Sequence, residues 1–529
     1  MNAFAGTGRL LVLFARLDRW RIAPWVLLLG FFPVAAYSGY GAVFGNPQDA
    51  RALELSLGGN PAFTLLFGPA VGLETAMGFT TWRIQILGMF FAALMAVFTV
   101  TRHARASEDS GEAELIDSSA VGRYARLTAA VLLAWAASAA VTAVVAGTLV
   151  AQGADTESAL ALGALIGGMG VAFAGVAAVT AQLASFSRTA NTLAAGILVL
   201  SYILRGLGDT LADAEWLLWT NPMGWAELIR PTSENNWAPF VLLVGFGAVT
   251  AVLGAVLTQA RDFGSGLVEQ RPGPARGRGG IWALTGALNR GPFITWGFTF
   301  AALGVIYGLV AGTMSEFFAN NEFIRRMLAA RVATEADLTN TFVTMLLLIV
   351  SMVAGVFGVQ IAGRFAVEED ERRAEWVLSG SLSRWSHFAP TAVSALLAPA
   401  LAMALAGAVL SATASAAGAE VDPGRVALQA LATIPALWLA SALGLMLVGA
   451  LPAVRWAVWL VVVYWLVLTM FGPLLNAPEW MLKTSPYYLV PDISKADADW
   501  APVAWILALV VVLVAAGFAG YRRRDLRTV

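Results

Sequence analysis

Apolar residues run through this chain in long windows with almost no charge, rather than at the spacing of a half-buried strand or a surface helix. The windows centre near Leu29, Phe91, Leu133, Gly170, Val199 and Gly247, then near Val305, Val350, Ala400, Ala440, Val461 and Val511. Each is about 20 residues long, enough for a helix to cross a ~30 Å hydrocarbon core. Helices are required because lipid offers no partner to an unpaired backbone N–H or C=O. The pattern predicts an all-α, polytopic membrane protein with twelve transmembrane helices. The first window, about 23 to 43, is too long for a signal-peptide core and reads as a retained span.

Composition agrees: 58% of the 529 residues are hydrophobic and only 13% are charged, against about a quarter in a soluble chain. The placement of charge says more. With the N-terminus in the cytoplasm, the inner connections and both termini hold 23 of the 33 Lys and Arg residues, and the outer connections hold 10. The outer side takes 20 of the 34 acidic residues. Lys and Arg set orientation by staying inside, so both ends are expected in the cytoplasm of a plasma-membrane protein.

The windows fall into two sets of six, and the connecting residues repeat with them. "EDSGEAELIDSSAVGRY" (108–124) returns as "EDERRAEWVLSGSLSRW" (369–385), with Glu108/Glu369, Asp109/Asp370, Glu114/Glu375 and Arg123/Arg384 all 261 apart. "RLDRWRIAPW" (16–25) aligns with "ALNRGPFITW" (287–296), "AEWLLWTNPMGW" (214–225) with "PEWMLKTSPYYL" (478–489), and "ARDF" (260–263) with "RRDL" (523–526). Four matches in one order at nearly constant offset indicate duplication. An even number of spans per half makes the two halves parallel repeats. The expected division is a first half over 1–268, a Pro/Gly/Arg-rich linker over 269–280 and a second half over 281–529.

Before each first span lies an amphipathic stretch. Leu10, Leu13, Phe14, Leu17 and Trp20 share a helical face edged by Arg9 and Arg16, with Arg19 beside them. Leu288 and Arg290 mark the weaker second copy. Such a helix is expected to lie in the membrane interface. Gly163 and Gly167, four apart inside the fourth window, predict close helix packing.

Several chemistries are missing from the sequence. There is no cysteine, no GxxxxGK[ST] phosphate loop, no H-E-x-x-H and no G-x-S-x-G, and the only lysines are Lys483 and Lys495. The two histidines, His103 and His387, are too isolated to make a metal site and are expected to be polar residues on the solvent side. A net charge of −1 gives no field to attract nucleic acid.

The two charged clusters, "RHARASEDSGEAELIDSSAVGRY" and "GRFAVEEDERRAEWVLSGSLSRW", and the loop "NPAFTLLFGPAVGLETAMGFTTW" (60–82) resemble the permease subunits of actinobacterial ABC-type exporters. More narrowly, they are similar to the polyketide-antibiotic (tetronasin-type) exporter family, over essentially the whole chain. The resemblance implies an elbow helix before the first span of each half and a coupling helix between the second and third. The coupling segments fall near 104–124 and 365–385. Two copies of a separate ATPase subunit, carrying ATP and Mg, would dock there against Glu108, Asp109, Glu114, Arg123 and Tyr124, and against Glu369, Asp370, Glu375, Arg384 and Trp385. The elbow residues would be Leu13, Phe14, Arg16, Leu17, Arg19 and Trp20 with Leu288 and Arg290.

The chain itself would bind no cofactor and do no chemistry. It would line a path for hydrophobic or amphipathic compounds, for which Gln85, Met89, Phe90, Tyr202, Arg205, Tyr307 and Tyr464 are the candidates. Arg205 lies close to membrane depth and needs a partner, for which Asp209 one turn on is placed. A secondary-active multidrug transporter with no ATPase is the alternative, since twelve spans in two halves suit it equally.

Overall fold

The computed structural model describes residues 2–44, 47–58, 61–211, 213–268, 279–320, 335–418, 421–471, 477–493 and 498–525. No strand occurs among them. The chain divides into two compact units, Met1–Gly273 and Pro274–Val529. Most of the expected linker, 269–278, lies outside the described residues.

In the first unit, α1 (Thr7–Val43) is followed by two short helices, α2 (Pro47–Gly58) and α3 (Pro61–Phe67). Then come α4 (Ala76–Thr101), α5 (Glu112–Asp117), α6 (Ala125–Ala151), α7 (Thr156–Leu183), α8 (Ser187–Thr210), α9 (Pro222–Glu227) and α10 (Ala238–Leu257). The second unit contains α11 (Ile281–Asn320), α12 (Glu335–Asp370), α13 (Arg373–Leu378), α14 (Arg384–Ala416), α15 (Pro423–Ala450), α16 (Ala457–Phe471), α17 (Glu479–Leu482) and α18 (Ala501–Arg523). Among the described residues, 11 helices are long and apolar enough to cross a membrane. The window near Val461 forms the shorter α16, of 15 residues, or about 22 Å of helix. Its sequence runs into Gly472–Pro473, a pair that ends helices.

The buried centre of the first unit is α7, which packs against α4, α6 and α10. A helix that is apolar or small on every side is buried on every side, and "ALALGALIGGMGVAFAGVAAV" is such a sequence. Its glycines permit the approach: a Cβ on Gly163 would sit 2.7 Å from the Thr142 carbonyl oxygen, and one on Gly167 2.1 Å from Thr142 Oγ1. Thr142 in return donates to the Gly163 carbonyl at 3.0 Å. In the second unit α15 has the same place, against α12, α14 and α18.

The elbow helices are not separate elements. Each is continuous with its first span, so that α1 has 37 residues and α11 has 40, although prolines 24, 33 and 292 lie inside them. Proline inside a helix is common in membrane proteins, where the helix continues through it. At about 55 Å, α1 exceeds the hydrocarbon thickness, and its first turns extend past it. The face read from the sequence also splits. Leu10 and Phe14 are buried against Ala125, Ala129 and Leu133, whereas Leu13, Leu17 and Trp20 are exposed, as are Arg16 and Arg19. Leu288 and Arg290 are exposed in the second unit.

Candidate functional site

Two polar sites stand at opposite ends of α4, about 39 Å apart along its 26 residues. At its C-terminal end the helix widens into a π-helical turn, Arg102–Ala106, in which Arg105 has zero exposure. Its Nη1 donates to Glu108 at 2.8 Å and its Nη2 to the Ser185 carbonyl at 2.5 Å. Glu108 also accepts from Arg126 at 2.6 Å and from both Nη atoms of Arg261, at 2.6 and 2.9 Å. One carboxylate therefore gathers three guanidinium groups, whose other donors reach backbone carbonyls such as Gly264, Ser265 and Ala104 and the Gln182 and Ser107 side chains. Asp109 accepts the Ser187 amide at 2.8 Å, fixing the start of α8.

The second unit repeats this clamp in simpler form. Glu369 takes both Nη atoms of Arg524, whose Nε donates to the Gly449 carbonyl at 2.8 Å. Asp370 binds Arg455 just before α16, as Asp109 binds Ser187. Glu108/Glu369 and Arg261/Arg524 were separate repeats in the sequence; folding joins them into one bidentate pair per unit. Arg384 donates to the Tyr521 carbonyl at 3.2 Å, and Trp385 stacks on Phe518 with ring centroids 4.6 Å apart. Arg123 is exposed, and the Tyr124 hydroxyl meets the Gln259 amide.

Of the ten residues assigned to docking, then, Glu108 and Glu369 are internal, with 9% and 4% exposure. What faces outward is the pair of short helices. In α5 and α13, Ala113 and Ala374 anchor the helix, and Glu114 and Glu375 point to solvent. Beside them Leu115 is 79% exposed and Trp376 84%. These two apolar residues occupy equivalent positions, 261 apart, and were passed over in favour of the charges around them. The signal was available: a large apolar residue directly after an acid, in both copies.

The histidines correct another expectation, since neither is solvent-facing. His103 is buried, with its ring nitrogen 2.7 Å from Asp18 and its ring stacked on Phe14 at 3.9 Å. His387 is buried 2.9 Å from the Tyr521 hydroxyl. Each has a hydrogen-bonding partner from a distant helix, which offsets the cost of burial.

At the N-terminal end of α4 lies the second site. The short α3 ends in carbonyls that have no partner within the helix, and side chains from α4 and α8 take them up. Arg205 donates to Thr64 at 3.3 Å and Leu65 at 2.8 Å, Tyr202 to Leu66 at 3.2 Å, Gln85 to Phe67 at 3.5 Å, and Trp82 to Gly68 at 3.3 Å. Gly68 has φ of +81°, and a Cβ there would stand 3.0 Å from both Gln85 Nε2 and Glu227 Oε1. Three of the seven candidate path residues thus cap a helix end. Of the others, Met89 is wholly buried in the core, and Phe90 and Tyr307 are half-buried. Tyr464 is 39% exposed and shares a 2.7 Å hydrogen bond with Thr484.

Arg205, with zero exposure, lies 3.1 Å from Asp209 and 3.5 Å from Glu227. Glu227 was not singled out in the sequence. The signal for it is an acid closing an otherwise apolar turn, "NPMGWAE", between two spans. Burial is the main cause that pushes its carboxyl up, to about 8, and the neighbouring Asp209 adds to it against the opposing pull of Arg205. Among the described residues no group of three or more His, Asp or Glu side chains is arranged to hold a metal ion.

The eleven apolar helices among the described residues are those of a membrane protein, and comparison with known chains gives its family. Residues 11–257 and 279–522 match the family described as "Multidrug efflux system permease Rv1217c, C-terminal domain". The two matched stretches flank the boundary between the compact units. The multidrug efflux system permease protein Rv1217c of Mycobacterium tuberculosis (strain ATCC 25618 / H37Rv) is 32% identical over 538 residues, covering 99% of this chain and 96% of the relative. The chain belongs to the Rv1217c family of multidrug efflux permeases.

Proposed function

We propose that this permease is the membrane subunit of an ATP-driven exporter of hydrophobic and amphipathic compounds, of the ABC type, with antibiotics among its cargo. Its two units act as parallel six-span repeats with both termini in the cytoplasm, and α16 serves as the eleventh span. Two copies of an ATPase subunit dock on α5 and α13 and supply the free energy. The chain has no phosphate loop of its own, so ATP and Mg belong to that partner. The observation that carries the reading is the match between α5 and α13. A carboxylate–arginine clamp fixes the base of each, and each presents one exposed acid and one exposed apolar residue in the same register. An exposed Trp or Leu flanked by charge is a poor solvated loop and a good interface anchor.

Co-purification tests this directly. Glu114→Arg should weaken retention of the ATPase, and Glu114→Arg with Glu375→Arg should abolish it while the permease stays folded. An interfacial charge that loses its partner costs about 2–5 kcal/mol. Stoichiometric ATPase on the double variant would refute the docking assignment. Orientation has its own check: with Cys introduced at Ser118, Ser379 or Asp213 of this cysteine-free chain, an impermeant thiol reagent should label only Asp213→Cys in intact cells. One observation favours a second reading, a secondary-active transporter: the buried Asp209–Glu227 carboxyls could carry protons. Transport that follows a proton gradient and needs no nucleotide would select it.

A further inference from the structure

The cavity beside Glu227 has hydrogen-bonding capacity that the first unit does not use. Its volume is about 330 Å³, within the range of small-ligand sites. Two of its lining side chains are more than nine-tenths buried yet have polar atoms with no protein hydrogen-bond partner: both carboxyl oxygens of Glu227, and Thr81 Oγ1. Buried polar atoms are nearly always satisfied. Protonated, Glu227 can share its proton with the neighbouring Asp209; ionised, it only accepts hydrogen bonds, so the partner missing from that state is a donor. Arg205 does not supply it, since its Nη atoms are committed to Thr64, Leu65 and Asp209 and its Nε stands 3.5 Å from Glu227 without hydrogen-bond alignment.

Charge decides what kind of donor fits. On α8, Arg205 offsets Asp209. On the loop after α9, Arg230 offsets Glu234 at 2.6 Å. The α4 side contributes only uncharged Thr81, Trp82 and Gln85. Once Glu227 ionises its charge is the unbalanced one, and that state favours a cation. Its remaining walls are apolar, with Trp82, Leu218 and Pro69 among them, which suits an organic body better than a bare metal ion.

We propose that this cavity binds a primary ammonium group carried on a small apolar body, its N–H donors directed to Glu227 and Thr81 and its body lying against Trp82 and Leu218. The assignment does not depend on how the permease is powered. With the cavity empty, the Glu227 carboxyl, pushed up to about 8, holds its proton at neutral pH. The entering ammonium group takes the place of that proton, which leaves to solvent, so binding and proton release are linked. The group could be the headgroup of phosphatidylethanolamine or a free amphipathic amine.

Calorimetry on the full-length permease in phosphatidylglycerol nanodiscs can test this, using phenylethylammonium as the probe and two buffers of different ionisation enthalpy. The expected result at pH 7 is saturable binding with release of close to one proton, and binding of neutral 2-phenylethanol at least tenfold weaker. Glu227→Gln should weaken binding at least tenfold and abolish proton release, and Thr81→Val should weaken it severalfold. Elution volume and melting temperature verify that both variants are folded. If Glu227→Gln does not fold, the contrast between amine and alcohol on the wild type and Thr81→Val decides. Adding phosphatidylethanolamine to the discs identifies the source: competition points to the lipid headgroup, unchanged affinity to a free amine. Equal binding of 2-phenylethanol, unaltered binding by folded Glu227→Gln, or no binding at millimolar probe would overturn the assignment and leave a cavity that holds water only.

Discussion

The two units agree at one end and differ at the other. Where α4 and α12 lead into the short helices, both have a buried glutamate held bidentately by an arginine that follows the last span: Glu108 with Arg261, and Glu369 with Arg524. At the far end the first unit buries Arg205, Asp209 and Glu227 together. At the matching offset of 264 the second unit has Thr469, Pro473 and Pro491, and opposite Thr81 and Gln85, at offset 261, it has Phe342 and Leu346. Thr469 there makes an ordinary 2.7 Å hydrogen bond to Ser485. Among the described residues the second unit packs its long helices in the same order with no charged residue at these matched positions, so the shared helix order does not require them. A buried ion cluster is also seldom worth more to stability than an apolar replacement. The shared end is the part that the architecture needs twice, and the divergent end is the part free to take on one specialised task.

The largest effect should come from breaking the shared end unequally. Glu108→Ala strands Arg105, Arg126 and Arg261, whereas Glu369→Ala strands chiefly Arg524. Removing one partner of a buried pair costs about 3–5 kcal/mol. Both variants should melt earlier in detergent, and Glu108→Ala should be the worse of the two, with much of it lost to aggregation. Equal melting shifts would show that the two clamps are energetically the same despite the additional arginines.

Next in size is a pH effect confined to the first unit. Glu227 binds its proton more tightly folded than unfolded, so between about pH 4.5 and 8 the native state holds more protons than the unfolded state. Stability contributed by this group therefore falls as pH rises through that window, with a slope approaching ~1.4 kcal/mol per pH unit. Glu227→Gln should remove that slope from a melting-temperature profile between pH 5 and 8. A profile with the same slope in the variant would place the titration on another group.

How much of this was legible in the sequence follows the same division. The apolar helices and the matching register of 108–124 and 369–385 could be read because apolar length and repeated spacing are local signals. The Arg205–Asp209 pair was also legible, being one helical turn apart. Partners that folding brings from far away were not: nothing local links Glu108 to Arg261, Asp18 to His103, or Arg205 to Glu227. For the same reason the histidines were expected in solvent and Gln85, Tyr202 and Arg205 along an open path. A carbonyl at the end of α3, 136 to 141 residues before Tyr202 and Arg205, leaves no mark on their own sequence. The continuity of α1 was hidden by Pro24, which locally predicts a break.

A smaller effect tests how tightly the divergent end is packed. Gly68→Ala adds a methyl 3.0 Å from Gln85 and Glu227 at a φ of +81°, whereas Gly153→Ala meets the same backbone strain, at +90°, with nothing within 4 Å. A left-handed conformation costs a non-glycine residue about 1 kcal/mol or more, and overpacking adds about 1–3 kcal/mol. Gly68→Ala should therefore be the more destabilising by melting temperature, and the difference between the two isolates the crowding around Glu227.

The smallest effect on stability should come from the residues most exposed at the shared end. Leu115 and Trp376 are largely exposed, so Leu115→Ala and Trp376→Ala should each leave the stability of the isolated permease, followed by thermal melting, within about 0.5 kcal/mol of wild type. Their partners, on the docking reading, are elsewhere. Tryptophan is enriched among the residues that dominate interfaces and leucine is not, because the larger ring buries more area in a desolvated pocket. Trp376→Ala should then cost about 2 kcal/mol or more in ATPase affinity and Leu115→Ala about 1 kcal/mol, measured by titrating the purified ATPase onto permease in nanodiscs. The two positions are equivalent in register, so a single ATPase surface must accept both. If that surface is symmetric, its pocket is sized for the larger residue, and Leu115→Trp should raise affinity. Losing affinity on Leu115→Trp would mean that the two docking places have diverged, as the far ends of the two units have.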